Sequence, residues 1–166
     1  MTFFELPFFG KINTDNLEEY YDTVIEFNGT AIELDLNFES NTIEPTQLEK
    51  VKQFLSKLDQ FDKDCRKEIR EDYDDEDADT VREYIDFHLE NIEVKDLARA
   101  LNMDAKAVEQ KEPLVEKLQL VRLGLYPDSE DEYAIFDYSF GRGITDHLVV
   151  LWKDEEGTLT EIGMES

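Results

Sequence analysis

Two stretches near the N-terminus alternate apolar and polar side chains and are joined by an Asn-Gly pair. They span residues 20–27 and 30–38, with Asn28 and Gly29 between them. Because Asn-Gly readily supplies the two positive φ angles of a type I′ turn, the pattern predicts a β-hairpin. A two-residue turn also fixes the register, and the predicted cross-strand neighbours are Ile25 with Ile32 and Thr23 with Leu34.

The second of these stretches separates its side chains onto two predicted faces. The apolar face is expected to lie on a core and comprises Ile32, Leu34, Leu36 and Phe38. The polar face is expected to lie in solvent and comprises Glu33, Asp35 and Asn37.

From Pro45 to Tyr73 the spacing of apolar residues changes to every third or fourth position. This period is typical of an amphipathic α-helix, and it predicts one long helix or two abutting ones. A second stripe runs from Val81 to Ile92, after an acidic segment. The stretches 94–101 and 104–111 predict two shorter helices.

Beyond Pro113 the chain returns to strand-like patterns, and the predicted strands are 118–125, 133–138, 148–152 and 158–164. Residues 148–152 are apolar at every position, which predicts a central strand. The order of hairpin, helices and four strands predicts an α+β fold in a single domain, residues 1–166. We expect a mainly antiparallel sheet of about six strands with three to five helices packed on one face.

The strongly negative charge of the chain excludes some classes of binding partner. There are 42 Asp and Glu residues against 17 Lys and Arg, which gives a formal net charge of −25. Such a chain would repel nucleic acid and anionic membranes, so neither is an expected partner. A hydrophobic fraction of 40% still supports a packed core.

The single cysteine, Cys65, cannot form an internal disulfide and suits a reducing, cytosolic compartment.

The acidic segment 71–79 carries seven carboxylates between two predicted helices. Its spacing invites comparison with a calcium-binding EF-hand, and the candidate ligands are Asp72, Asp74, Glu76 and Glu83. Asp77 stands where the motif needs glycine, and Asp79 stands where it needs an apolar residue. We therefore expect a solvated loop that binds no metal specifically.

Four polar residues near the C-terminal strands form the candidate catalytic set, which is Asp137, Arg142, Asp146 and His147. The alternative is a turn in which the glycines at 141 and 143 allow the bend and Asp146 accepts backbone hydrogen bonds. No cofactor is expected, because this Gly-x-Gly lacks the further glycine and helix of a nucleotide-binding loop.

His88 lies on an apolar stripe and is expected to be a hydrogen-bonded core residue. Cys65 is likewise expected to be a buried small apolar residue.

Several stretches resemble a small, uncharacterised bacterial family of acidic α+β proteins, a domain of unknown function. The resembling residues are 8–10, 17–20, the Asn28-Gly29 hairpin, 121–127, 136–139 and 144–150. The resemblance implies a bacterial, cytosolic protein and carries over no catalytic residues. In charge and size alone, such domains are also similar to immunity proteins of bacterial toxin systems.

Together these features predict a non-catalytic interaction protein whose acidic surface binds a basic protein, with an immunity-type role of masking a toxin or a nucleic-acid enzyme as one such function. The candidate contacts are Glu33, Asp35, Asp74, Asp75, Glu76 and Asp77. A small enzyme with a site at residues 137–147 is the alternative, and an accessory domain without a strong partner is a third. A cluster of phenylalanines at positions 3, 4, 8 and 9 is expected either to bind a partner or to cover the sheet or a seam between helices.

Overall fold

The computed structural model describes residues 2–166 and has an α+β fold, as the sequence predicts. Over these residues there are eight strands and six helices. The strands are β1 (Phe3–Leu6), β2 (Gly10–Asn13), β3 (Tyr20–Phe27), β4 (Thr30–Asn37), β5 (Gln119–Leu125), β6 (Ala134–Ser139), β7 (Leu148–Lys153) and β8 (Leu159–Glu165). The helices are α1 (Pro45–Ser56), α2 (Leu58–Asp74), α3 (Thr80–Asn91), α4 (Val94–Ala100), α5 (Ala105–Glu109) and α6 (Glu112–Val115).

Strands β3 to β8 form one six-stranded sheet in sequence order. Strands β4 and β5 are parallel, and every other neighbouring pair in this sheet is antiparallel. The predicted hairpin is confirmed, because Ile25 pairs with Ile32 and Thr23 pairs with Leu34. Its turn residues have φ angles of 51° at Asn28 and 80° at Gly29, as a type I′ turn requires.

The predicted long helical region consists of two abutting helices, α1 and α2. Lys57 lies between them with φ −107° and ψ 14°, which departs from helical geometry. After them, α6 occupies a stretch where the sequence analysis expected the chain to turn toward a strand. Pro113 lies in the first turn of α6, where its fixed φ favours a helix, and the strand begins only at Gln119.

The N-terminal phenylalanines belong to a small second sheet that the sequence analysis did not predict. Strands β1 and β2 pair with each other only, and β1 lies against α1. Leu6 and Ile12 of this hairpin are buried in the main core, whereas Phe3 and Phe8 are each 53% exposed.

The core lies between the helices and one face of the sheet. Apolar side chains of the sheet that face this core include Leu34, Leu36, Leu123, Phe136 and Leu151, all fully buried. Hydrogen bonds also join this face to α2, where Tyr138 of β6 donates to Asp62. The helices therefore cover one face of the sheet, and the residues that alternate with these core residues point away from the helices.

Candidate functional site: the open face of the sheet

The face of the sheet that points away from the helices is called here the open face. The strand registers place its side chains in two neighbouring rows. One row runs Asp22, Asp35, Gly124, Ile135, Trp152, Glu161. The other runs Val24, Glu33, Arg122, Asp137, Val150, Gly163.

Arg122 lies at the centre of this face and binds two carboxylates. Its Nε donates to Asp35 Oδ2 at 2.7 Å, and its Nη2 donates to Asp35 Oδ1 at 3.0 Å. Its Nη1 donates to Asp137 Oδ2 at 3.2 Å, and Nη2 also reaches the Tyr126 hydroxyl at 3.3 Å. We call Arg122, Asp35 and Asp137 the open-face cluster. The guanidinium bridges strands β4 and β6 through β5.

The position of Asp35 corrects the sequence analysis, which placed this carboxylate in solvent. Asp35 does point away from the core, but it is only 2% exposed. Arg122 covers it with a bidentate ion pair, and the Asn37 amide donates to it at 2.6 Å. Asp35 is therefore already engaged within the protein. Of the two hairpin carboxylates predicted to bind a partner, Glu33 is the exposed one.

Gly124 explains how Arg122 can lie across its own strand. A Cβ atom at this position would be 2.6 Å from Arg122 Nη2 and 3.1 Å from Asp35 Oδ1. Any larger residue at this position would push the guanidinium out of its present place. A glycine inside a strand weakens the strand itself, and close approach of another group is a common reason to find one.

The charges of the open-face cluster do not balance. Burial alone would lower the pKa of Arg122, but Asp35, Tyr126 and Asp137 outweigh it and hold this pKa above its ordinary value. Burial raises the pKa of Asp137, and the charge of Arg122 only partly offsets that effect. With both carboxylates ionised, one cation faces two anions and the cluster carries an excess negative charge. It therefore attracts a further cation.

Arg142 and Glu33 extend the cluster toward solvent. Arg142 Nη2 donates to Glu33 Oε2 at 3.1 Å, and about half of each side chain is exposed. Arg142 also contributes to the electrostatic environment of Asp137. The structure thus brings together four residues that the sequence analysis had divided between a catalytic and a binding set, namely Glu33, Asp35, Asp137 and Arg142.

Arg122 is not among the candidate residues predicted from the sequence, although two signals point to it. It is the one charged residue of β5, and Gly124 follows it on the same face. A register shift between Leu120 and Arg122 obscures the alternation, because Leu120 and Val121 are both buried. The pattern therefore left open which residues of this strand face the core.

The other two residues of the candidate catalytic set lie elsewhere. The His147 ring packs on Phe87 of α3, with 4.1 Å between the ring centroids, on the helix side of the molecule. Its backbone carbonyl accepts a hydrogen bond from the Tyr84 hydroxyl at 2.8 Å. Asp146 is exposed on the connecting loop. Asp137, Arg142, Asp146 and His147 are therefore not assembled in one place.

His88 is a hydrogen-bonded core residue, as predicted. Its Nδ1 lies 2.6 Å from the carbonyl oxygen of Tyr84 and its Nε2 lies 2.8 Å from the Thr145 hydroxyl. A carbonyl can only accept, so Nδ1 carries the proton and Nε2 accepts from Thr145. Burial lowers the pKa of His88, and the nearby His147 lowers it further. Through its hydrogen bond with Thr145, the neutral imidazole links the 140–147 loop to α3.

The acidic segment 71–79 is only partly the loop that the sequence predicts, because residues 71–74 form the end of α2 and residues 75–79 connect it to α3. Asp74, Asp75, Glu76 and Asp77 are all exposed. Asp72 instead accepts the backbone N–H of Val81 at 2.8 Å, so it helps to begin α3. Burial raises the pKa of Asp72. Within residues 2–166, no group of three or more His, Cys, Asp or Glu side chains is placed to hold a metal ion.

A second set of polar groups lies between α2 and the sheet, and we call it the covered cluster. Its Asp62, Tyr138 and Lys153 are buried, whereas the Arg66 side chain is 40% exposed. Tyr138 donates to Asp62 Oδ1 at 2.5 Å, and Arg66 donates to Asp62 Oδ2 at 3.1 Å. Lys153, which is 1% exposed, donates to Glu68 of α2. Cys65 is fully buried beside these groups, as predicted, and burial raises the pKa of its thiol to about 12.

Aromatic and aliphatic side chains surround the open-face cluster. Tyr20 and Val24 on β3 are 52% and 64% exposed. Trp152, the only tryptophan of the chain, is partly exposed and lies over Gly163. Ile135 is also partly exposed, beside a surface cavity of about 310 Å³ that Tyr126 helps to line. Exposed carboxylates border these groups, namely Asp22, Glu26, Glu33, Glu161 and Glu165.

Comparison of the chain with models of protein families, with curated proteins and with solved structures found no match. The resemblance to a small bacterial family therefore stays a prediction. Among the helices of residues 2–166, none is both long and apolar enough to cross a membrane.

Proposed function

We propose that this protein binds a basic protein through the open face of its sheet. The observation that carries the proposal is the open face itself, where partly exposed aromatic and aliphatic groups lie among carboxylates and no helix of the described chain covers them. Tryptophan, tyrosine and arginine are the residues that most often dominate binding energy at protein interfaces. The open face carries all three residue types, with Arg122 at its centre, Tyr20 on the edge strand β3 and Trp152 on β7.

The charge of the protein sets the sign of its partner. A net charge of −25 produces a field that draws in cations and repels anions over about one Debye length, roughly 8 Å at physiological salt. At short range, the excess negative charge of the open-face cluster favours a lysine or arginine near Asp137. Complementary charges of this kind raise the association rate more than they slow dissociation.

A basic enzyme that acts on nucleic acid is the class of partner that best fits these features. Such an enzyme presents a cationic groove for phosphates, and an acidic face with an apolar centre can occupy that groove. Binding there would exclude the nucleic acid. We therefore propose an immunity-type role, in which the protein masks the active groove of a toxin.

The acidic loop has a different role in this proposal. Residues 74–77 lie at the junction of α2 and α3, which belongs to the helix layer, whereas Glu33 lies on the opposite face of the sheet. A partner seated on the open face contacts Glu33 and not the loop. The loop then acts only through its contribution to the long-range field.

Two variants that remove the same charge from different places test the proposal. Asp22→Asn with Glu33→Gln removes two carboxylates from the open face, and Asp75→Asn with Glu76→Gln removes two from the loop. Immobilised wild-type and variant proteins are exposed to an extract of the source organism. We expect a basic protein to bind the wild type and the loop variant and to be lost from the open-face variant.

The association kinetics of that captured protein give a second test. Because Trp152 is the only tryptophan of the binding chain and lies on the open face, its fluorescence reports binding there. We expect the association rate to fall steeply with added salt. Equal weakening by both double variants, or a rate indifferent to salt, would contradict the proposed site.

A further inference from the structure

Strand β3 is an edge strand, and half of its backbone groups point outward. It pairs with β4 only, in an antiparallel ladder whose two-residue turn joins Phe27 to Thr30. In such a hairpin the residues flanking the turn are hydrogen-bonded to each other, and every second pair beyond them is too. The backbone bond from Phe38 to Glu19 continues this alternation beyond the strand. The N–H and C=O groups of Tyr20, Asp22, Val24 and Glu26 therefore face away from the sheet.

No backbone hydrogen bond within residues 2–166 uses these outward groups. Apart from the carboxylates of Asp22 and Glu26, the edge also lacks the usual features that block the addition of another strand. Strand β3 is eight residues long, contains no proline or lysine, and keeps an unbroken register with β4. At the opposite edge, β8 lies against α3 and its register with β7 shifts at Trp152/Lys153. Of the two edges, β3 is the regular and accessible one.

The side chains of β3 specify what could pair with it. Asp22 and Glu26 place carboxylates on the open face, with Val24 between them. On the other side of the strand, Ile25 and Phe27 are half-buried and pack against the core. An added strand would set its alternate side chains beside each of these two surfaces.

We propose that the edge of β3 accepts an extended segment of the partner as a seventh strand, one that alternates basic and apolar residues. Its basic side chains lie beside Asp22 and Glu26, and its apolar side chains cover Ile25 and Phe27. Main-chain hydrogen bonds supply part of the affinity and the alternation supplies the specificity. The basic character of the partner rests on the proposed function, whereas the pairing mode rests on the geometry of β3.

A second copy of the chain is a poor occupant of this edge. Pairing two β3 strands would bring Asp22 and Glu26 of one copy near the same residues of the other. Like charges opposite each other destabilise a sheet, and two chains of charge −25 also repel at long range. The same carboxylates that attract a basic strand thus prevent self-association.

The probe for this proposal is a capped heptapeptide of alternating lysine and valine, added to the full chain at low salt. Its control is the same peptide N-methylated at every amide, which keeps the charge but blocks strand pairing along both edges of the peptide. We expect amide hydrogen exchange of Asp22, Val24 and Glu26 to slow by about tenfold or more with the first peptide and not with the second. Amides of β8 should not change.

A variant of the chain provides the complementary test. Val24→Pro removes one outward N–H without removing a bond to β4, and Val24→Ala is its control. We expect Val24→Pro to weaken peptide binding by about tenfold, as the loss of one or two hydrogen bonds would. Binding that is unaffected by N-methylation, or protection within residues 159–165 instead, would overturn the edge proposal. The proposed function is judged separately, by the capture experiment on the open-face and loop variants.

Discussion

Two polar clusters lie on opposite faces of the sheet, and neighbouring residues of β6 belong to both. Asp137 belongs to the open-face cluster, and Tyr138, the next residue, belongs to the covered cluster. Each cluster pairs arginine or lysine with buried carboxylates. In the covered cluster Asp62, Tyr138 and Lys153 are buried between α2 and the sheet, and the members that reach solvent, Arg66 and Glu68, belong to α2 itself. No helix covers the open-face cluster, where the Arg122 side chain is 24% exposed. A buried polar group under helices can serve only the fold, but one at the surface can also meet a partner.

The largest expected effect comes from removing the cation of the open-face cluster. Arg122→Met leaves Asp35 and Asp137 buried without a counter-charge, and we expect a loss of about 3 to 5 kcal/mol in the free energy of unfolding at pH 7. Arg142→Met is the matched control, because its ion pair with Glu33 is half exposed and should cost about 1 kcal/mol or less. Urea denaturation measures both. Equal losses would mean that burial of the two aspartates does not matter.

The covered cluster can be broken by removing a single hydroxyl. Tyr138→Phe deletes the donor to Asp62, while Arg66 still binds the other carboxylate oxygen. We expect a loss of about 1 to 3 kcal/mol in unfolding free energy. Tyr126→Phe, which removes a hydroxyl beside the open-face cluster, should cost less because Arg122 keeps its carboxylate partners. If the two variants are equally stable, the covered position of Tyr138 has no energetic consequence.

Lowering the pH should reduce the free energy of unfolding through His88, which is buried on the helix side of the sheet. The pKa of this buried imidazole lies below its ordinary value of 6.5, so below that pH the unfolded chain binds more protons than the folded one. Stability should therefore fall as the pH drops from about 6.5 toward the folded pKa, and this contribution levels off below it. The slope from one such group is at most about 1.4 kcal/mol per pH unit.

His88→Gln removes this titration while leaving a side chain that can donate and accept hydrogen bonds. Unfolding free energies of the wild type and the variant, measured from pH 7.5 to 5, should therefore differ in slope in the acid part of that range. Parallel curves would show that His88 is not the group responsible.

The smallest expected effect is that of Glu33→Gln. Both side chains of its ion pair with Arg142 are about half exposed. The unfolding free energy should therefore change by no more than about 0.5 kcal/mol. A thermal melt is sufficient to check this. A loss as large as that of Tyr138→Phe would place Glu33 in the structural network and would make it unsuitable for the binding tests.

The sequence predicted local structure well because the relevant signals are local. Asn28-Gly29 fixes both the turn and the register of the hairpin, and the apolar stripe locates α1 and α2. The β1/β2 hairpin was missed because its turn places Phe8 at φ 71°, a conformation that a bulky residue seldom adopts and that no sequence signal announces.

The candidate site could be predicted only in part, because it is assembled from distant segments. Alternation along β4 correctly indicated which way Asp35 points, but it could not show that Arg122, 87 positions later, covers it. Closeness in sequence was also misleading for the candidate catalytic set. His147 follows Arg142 by five positions, yet the two side chains lie on different sides of the sheet.

The parallel pairing of β4 with β5 has a consequence for the growing chain. The hairpin β3/β4 can form as soon as it is synthesised, but its partner strand follows only after the segment that contains all six helices. At about 5 to 20 residues per second, the 87 positions between Asp35 and Arg122 correspond to roughly 4 to 17 seconds of synthesis. Throughout that time the apolar side chains of β4 lack their neighbour. The carboxylates of this hairpin, Asp35 among them and not yet paired with Arg122, then keep nascent chains apart.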